Sequence, residues 1–440
     1  MGHKINQVIT YENRLENNKA RETEIQARNQ ETTKPECRRG KGGHCAANSR
    51  LLRNVLLDYI STFVTHLNMQ SSIWVLYLAY CGLNLAQIGI VEGIYHATSI
   101  VFEIPSGAVA DLLGRKRSMV LSRICIALSC VIMLFARSFW FFALSFAIQA
   151  LGNNLNSGSE EALVYDSMKC AGEEERYLGV SGRLNMLIEV SQGIATVAGG
   201  ILAEFSYFWC YSACLVIALL ALIPVALMVE APYAAQGQGG QTVRAVVLQH
   251  FRTCAAILRS DSRILRIIAY YSVVFAADTL LFFYSQQYYY ELGYNKIQIS
   301  LILLAVGGAS CLGAAMSERL FARFGKGIEK IGAAVTAAAF LAYGFQSLFV
   351  SVASFAAAEF FNAALYPVQS EQLNALIPSG QRATLISVNS MFFSVAMIVL
   401  FPLVGVAADR CGLVAVLAAV GAALLVFTCV WNVLECGSKR

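Results

Sequence analysis

Charge is scarce in this sequence. Acidic and basic residues make up only 14% of the 440 positions, while 57% are hydrophobic and the mean hydropathy is +0.56. A soluble chain of this length would carry two or three domains with charged surfaces, and this composition excludes that. Histidine is rare too: there are five, and His3 and His44 sit in the polar tail. No Ser/His/Asp or His/Glu constellation is present, so a nucleophile–base enzyme has nothing to work with. The thirteen cysteines form no Cys-x-x-Cys, and most, such as Cys125, Cys130, Cys311 and Cys429, lie inside apolar runs. Such thiols behave as small hydrophobes, and no disulfide framework is expected. Cys37-Arg-Arg-Gly-Lys-Gly-Gly-His-Cys45 offers three soft ligands on a tail, short of a tetrahedral set. Neither a metal nor another cofactor is expected. The first apolar run begins near residue 54 and is too long for a secretory signal. Met1-Gly-His-Lys-Ile-Asn6 lacks the Ser/Thr that myristoylation prefers.

What is there is apolar sequence in long runs. Residues 1–50 are almost wholly polar, with no apolar period, and are expected to form a disordered cytoplasmic tail. From residue 51 onward, polar breaks cut the chain into segments of the ~20 residues that span a bilayer. They fall near 54–80, 85–108, 117–136, 139–167, 180–204, 208–230, 264–289, 296–318, 329–348, 352–376, 384–407 and 413–434. The expectation is an all-α membrane protein of twelve transmembrane helices. Its parts are a six-helix bundle over 51–230, a cytoplasmic linker with a surface helix over 231–262, and a second bundle over 263–440.

The charges are topology signals. With the N-terminus inside, the outer loops hold only Arg137, Lys296 and Arg410 of the 33 basic residues. The opposite orientation would place Arg115, Lys116, Arg117, Arg319, Arg323 and Lys326 outside, against the positive-inside rule. Both termini are therefore expected in the cytoplasm of a cell-membrane protein. The net charge of +5 therefore says nothing about nucleic acid; the lipid bilayer is the expected partner, and no nucleic acid is.

The gap between the second and third runs reads Gly107-Ala-Val-Ala-Asp111-Leu-Leu-Gly114-Arg115-Lys-Arg117. Its glycines permit tight turns and close approach. Its carboxylate stands among cations at a helix end, where it can latch one helix to another. An echo follows 207 residues later, at Ala314-x-x-x-Glu318. Gly200-x-x-x-Glu204 recurs as Gly405-x-x-x-Asp409, and Arg176-x-x-x-x-Ser181 as Arg382-x-x-x-x-Ser387, at offsets of 205 and 206. Three ordered matches at nearly one offset point to six helices duplicated in parallel. In such transporters the solute site lies near mid-membrane between the halves.

Twelve spans in two repeats, with Gly-x-x-x-Asp-x-x-Gly-Arg-Lys-Arg between spans two and three, resemble the major facilitator superfamily. Phe102-Glu-Ile-Pro-Ser-Gly107, Ser157-Gly-Ser-Glu-Glu-Ala-Leu-Val-Tyr-Asp-Ser167 and Arg382-Ala-Thr-Leu-Ile-Ser387 resemble a group of prokaryotic permeases within it. The resemblance implies a secondary transporter working by alternating access, often coupled to protons. It implies that Asp111 caps span eleven and pairs with a nearby arginine, Arg382 or Arg115, to hold an outward-open state. One departure stands out: Ala195-Thr-Val-Ala-Gly199-Gly200 keeps the glycine pair of an antiporter signature in span five but not its Gly-Pro.

Polar stripes run along four spans at helical spacing. Span one carries Asp58, Thr62, Thr65 and Asn68; span four, Asn153, Asn156, Ser157 and Glu160; span seven, Tyr271, Asp278 and Ser285; span ten, Glu359, Asn362, Tyr366 and Gln369. The resemblance implies that these spans line a central cavity. Spans two and five add Glu92, His96 and Glu103, and Asn185, Glu189 and Gln192. A mid-bilayer charge costs roughly 2.5–3.5 kcal/mol, so such acids face an interior or a wet cavity. Asp58, Glu160, Glu161 and Asp166 also fit wet charges at the membrane boundary, Glu103 a structural cap, and His96 an interhelical hydrogen bond. Glu189, Asp278 and Glu359 lie deeper and are candidates for proton exchange. The run Tyr288–Tyr290 reads as an interfacial belt.

The expected function is a monomeric, proton-coupled transporter of small organic solutes, with efflux of amphipathic or drug-like compounds favoured over uptake. An uptake symporter for a sugar or other metabolite is the alternative. A non-transporting sensor or a membrane enzyme is the distant one.

Overall fold

The computed structural model describes residues 43–231, 252–254, 256, 258–259, 261–325, 327–376 and 382–437. Within them, residues 43–47, Ala108, Asp111, Arg382, Ala383 and 434–437 are described as backbone only. Among the described residues, fourteen continuous α-helices follow in order: α1 Gly43–His66, α2 Trp74–Tyr80, α3 Leu85–Leu113, α4 Arg115–Phe135, α5 Phe139–Asn156, α6 Ser159–Ala171 and α7 Tyr177–Phe205. Then come α8 Tyr207–Leu227, α9 Ser262–Glu291, α10 Lys296–Phe324, α11 Gly327–Ala342, α12 Leu348–Asn374, α13 Arg382–Cys411 and α14 Leu413–Gly437. Ten helices among the described residues are long and apolar enough to cross a bilayer.

The first and fourth expected spans are interrupted. After His66 the chain leaves the helix and turns through Met69–Ser72 before α2 begins. That turn presses on α7: a Cβ on Gly199 would lie 2.2 Å from the Met69 carbonyl oxygen, and the Ser72 hydroxyl donates to the Thr196 carbonyl at 3.2 Å. In the fourth span, Gly158 takes the left-handed φ of +72°, a conformation only glycine adopts freely, and divides α5 from α6.

The duplication is visible in the helix ends. Tyr77, Gly82, Asn84 and Gln87 match Tyr288, Gly293, Asn295 and Gln298 at a constant offset of 211. Gly82 and Gly293 have φ of +90° and +92° and end α2 and α9. Leu83 N–H then reaches back to the Leu78 carbonyl, and Tyr294 N–H to Tyr289. Asn84 and Asn295 each cap the next helix in a reciprocal box with Gln87 and Gln298.

The main apolar core lies at the Gly82 end and draws on both halves. It includes Trp74, Tyr77 and Tyr211 from one, and Tyr284, Tyr288, Tyr289, Tyr343 and Phe401 from the other. At the opposite end, where Gly114 joins α3 to α4, the buried clusters each belong to one half. Leu57, Met119, Leu163 and Val225 form one; Ile264, Ile268, Leu373 and Leu385 another. Across the halves, α3 packs on α13 and α7 on α10.

This core corrects the expected belt. Tyr288 and Tyr289 are buried; the Tyr288 hydroxyl donates to the Tyr343 carbonyl at 3.1 Å, and the Tyr289 and Tyr343 hydroxyls meet at 3.3 Å. Only Tyr290 faces outward. Ring burial within the bundle outweighs interface placement for the first two, because each hydroxyl finds a partner inside.

Candidate functional site

A cavity of about 630 Å³ lies among α9, α10, α12 and α13. Asp278, Glu359, Asn362 and Tyr366 all line it, with Phe275, Gln369, Asn389 and Phe393. It extends to Asn374 and Leu385, in the last turn of α12 and the first of α13, and so reaches the Gly114 end. Asn362 Nδ2 donates to Asp278 Oδ1 and to Thr336 Oγ1, both at 2.8 Å. Gln369 Nε2 donates to Asn389 Oδ1 at 2.8 Å. Phe275 and Tyr366 stack at 4.9 Å and 23° to form an aromatic wall. The described lining contains two carboxylates and neither Lys, Arg nor His.

The polar residues of spans one and four gather elsewhere. Asp58, 1% exposed, lies beside Arg123, 3% exposed, in the half formed by α1–α8. Arg123 approaches Glu160 at 3.5 Å and donates to Ser61 Oγ at 3.4 Å, while Asn156 Nδ2 donates to Glu160 at 2.5 Å. Neither Asp58 oxygen has a hydrogen-bond partner among the described residues. Asp58 is therefore no wet surface charge. Asn153 stands apart, exposed, and donates to the Tyr95 hydroxyl at 2.8 Å. Glu189 is exposed on α7 and accepts from the Cys311 thiol of α10 at 3.4 Å. Neither it nor the Asp58 group lines the cavity.

The Gly82 end is closed by two matching contacts between the halves. The Asp409 carboxylate accepts the N–H of Leu85 at 3.0 Å and of Ala86 at 2.8 Å, so α13 ends on the start of α3. The Glu204 carboxylate accepts the N–H of Lys296 at 3.0 Å, with the Lys296 ammonium at 3.6 Å, so α7 ends on the start of α10. Four residues earlier on each helix a glycine lets the partner in. A Cβ on Gly405 would lie 2.2 Å from the Leu85 carbonyl oxygen, and one on Gly200 2.2 Å from Ser300 Oγ. The glycine pair of α7 thus splits its work: Gly199 admits the Met69 turn and Gly200 admits α10. Farther along α3 and α13, His96 Nδ1 meets Ser394 Oγ at 3.2 Å, and toward the Gly114 end the Ser387 hydroxyl of α13 donates to Glu103 of α3 at 3.1 Å.

At the other end, the basic loop is held within its own half. Gly114, at φ +95°, sets the start of α4 against Glu230, whose carboxylate accepts the N–H of Arg115 at 2.8 Å and of Lys116 at 3.0 Å. The Arg115 guanidinium pairs with Asp166 and donates to the Ala162 carbonyl at 2.6 Å. The Asn54 amide ties α1 to Ser167 and to the backbone of Val229. Arg117 is exposed, and a Cβ on Gly107 would meet open space. The side chains of Asp111 and Arg382 lie outside the described residues, as do Cys37 and most of the 231–262 linker. Glu230 is not legible in the sequence, because it closes an apolar run 115 residues from Arg115 and leaves no local signal.

Known proteins place this arrangement. The sequence profile of the Major Facilitator Superfamily matches residues 59–333. The uncharacterized MFS-type transporter YxaM of Bacillus subtilis is 26% identical over 368 residues, covering 81% of this chain and 89% of that protein. The inner membrane transport protein YajR of Escherichia coli is 30% identical over 156 residues, 34% of this chain and 32% of its own. Among solved structures, a point mutant of the nucleoside transporter NupG superposes with a TM-score of 0.72 at 13% identity, covering 86% of this chain and 99% of that one. A POT family transporter in complex with 5-aminolevulinic acid gives 0.68 at 12%, covering 88% and 97%. With a profile match over more than half its length and paired helix ends that join two repeated halves, this chain is a multi-pass membrane transporter of the major facilitator superfamily.

Proposed function

We propose that the chain moves small organic solutes across the cell membrane by alternating access, coupled to protons, with efflux of amphipathic compounds favoured. The cavity beside Asp278 and Glu359 carries this reading. Its volume falls in the ~300–1,000 Å³ range of sites for drug-sized ligands. A carboxylate in an apolar membrane setting needs a proton or a cation beside it, and two together supply exchange capacity. The basic loops support a cytoplasmic position for the Gly114 end. On that orientation, closure at the Gly82 end supports reading this as an inward-open state. Asp111, Gly107, Gly114 and Arg382 would act in the opposite state, when the cytoplasmic ends meet. The Asp58–Arg123–Glu160 group is a second place for a proton to rest.

Purified protein in liposomes, given a pH gradient and a broad solute panel, tests this. Solute movement that follows the gradient, lost in Asp278→Asn and Glu359→Gln, is the expected result. Accumulation down the proton gradient in place of extrusion would favour uptake. No movement of any solute would end the reading.

A further inference from the structure

At the Asp278–Asn362 pair, hydrogen-bond acceptors are left over. Asn362 spends its amide nitrogen on Asp278 and Thr336, which leaves Asn362 Oδ1 buried without a donor. The Gln369 amide nitrogen gives one N–H to Asn389, and the Thr279 hydroxyl donates to the Phe275 carbonyl. Asp278 keeps one oxygen not engaged by Asn362, and Glu359 adds two more acceptors. No cation among the described lining residues balances these two acids. A solute that only accepts hydrogen bonds, or that carries negative charge, would leave them unsatisfied at a cost. One that brings positive charge and N–H donors answers both deficits. The Phe275–Tyr366 wall and Phe393 supply a surface for an aromatic or alicyclic body, with a cation favoured over a ring face.

We infer that the solute is a protonated primary or secondary amine on an apolar body, its ammonium held by Asp278, Glu359 and the free carbonyl oxygen of Asn362. This rests on the proposal that the cavity is the solute site, and it adds the solute's chemical class. The acceptors left over at Asp278, Glu359 and Asn362 distinguish such an amine from a quaternary ammonium ion, which has charge but no N–H.

The test is equilibrium binding to full-length purified protein with matched arylalkyl series: primary amine, trimethylammonium, alcohol and carboxylate on each of several ring bodies. The amines should bind roughly tenfold or more tighter than the matched alcohols, with the trimethylammonium compounds between them and the carboxylates weakest. Glu359→Gln and Asn362→Asp report in opposite directions. The first should cut amine affinity about tenfold and leave the alcohols unchanged; the second, adding a negative charge, should keep or raise it. Asp278→Asn should behave as Glu359→Gln does; if it fails to fold, the other two variants still decide. Alcohols or carboxylates binding as tightly as amines on every body, or amine affinity unmoved by Glu359→Gln, would overturn the inference. Amine binding without proton-coupled movement in liposomes would instead remove the coupling and leave the solute class standing.

Discussion

Asp409 caps a helix that is not its own. Its two carboxylate oxygens take the N–H groups of Leu85 and Ala86, at 3.0 and 2.8 Å, across the boundary between the halves. Glu204 does the same to Lys296. A negative charge at a helix N-terminus stabilises it by about 0.3–1 kcal/mol, and up to about 2 in protected geometry. The two latches share no side chain, so their effects should add. Glu204→Gln with Asp409→Asn should therefore weaken closure at the Gly82 end by about 1–2 kcal/mol, a roughly 5- to 30-fold shift. Thiol labelling of Cys311 from that side, with the other exposed cysteines replaced, reads the shift as faster modification. An unchanged rate would mean that the apolar core alone holds the end shut.

The glycines that admit these contacts give a sharper steric test. Gly405→Ala places a Cβ 2.2 Å from the Leu85 carbonyl, against backbone that cannot swing away. Overpacking of this kind costs about 1–3 kcal/mol. Gly308→Ala, with nothing within 4 Å, should be neutral or slightly stabilising. Melting temperatures of the two variants should separate clearly. Equal values would show that α13 shifts freely against α3.

Gly114 and Glu230 act as one unit at the basic loop. Gly114→Ala forces a side chain into φ +95° and sets a Cβ 2.9 Å from the Glu230 carboxylate. A loss of about 1–2 kcal/mol is expected from the backbone alone. Glu230→Ala uncaps α4 and should cost about 0.5–2 kcal/mol. The double variant should lose less than the sum, since the clash disappears with the carboxylate. Strict additivity in a thermal-melt cycle would refute the coupling.

Arg123 is buried between two acids that it alone offsets among the described residues nearby. Replacing one member of a buried ion group strands the rest, at about 3–5 kcal/mol. Arg123→Met should therefore express poorly or melt early. Asp58→Asn in the same chain should restore part of the loss. No rescue would mean that Arg123 acts through packing and not through charge.

Hydropathy made the long helices legible, because an apolar run near 20 residues matches the thickness of a bilayer and exceeds most buried helices of soluble domains. The interruptions at Met69–Ser72 and Gly158 were not legible, since a short turn inside an apolar run leaves the average unchanged. Three phrases recur at offsets of 205 to 207, while the stretch from Tyr77 to Gln87 recurs at 211. Loops of unequal length change the offset along the chain and hide that match from a search at one spacing. The stripe in span ten led directly to Glu359, Asn362 and Tyr366, because helical periodicity fixes which residues share a face. It could not show that Asp58 and Glu160 turn toward Arg123, since partners on another helix leave no periodic trace. The tyrosine run failed for a similar reason: an amphipathic ring suits an interface and a hydrogen-bonded core equally well.

Solute-driven proton movement is the most direct check on the proposed transport cycle. Proteoliposomes with a trapped pH indicator, offered solutes across a broad chemical panel, should show proton flux with at least one class. Asp278→Asn combined with Glu359→Gln should abolish it while the protein keeps its melting profile. Solute transport that proceeds with no proton movement, or flux that survives the double substitution, would contradict the proposed coupling at these two carboxylates.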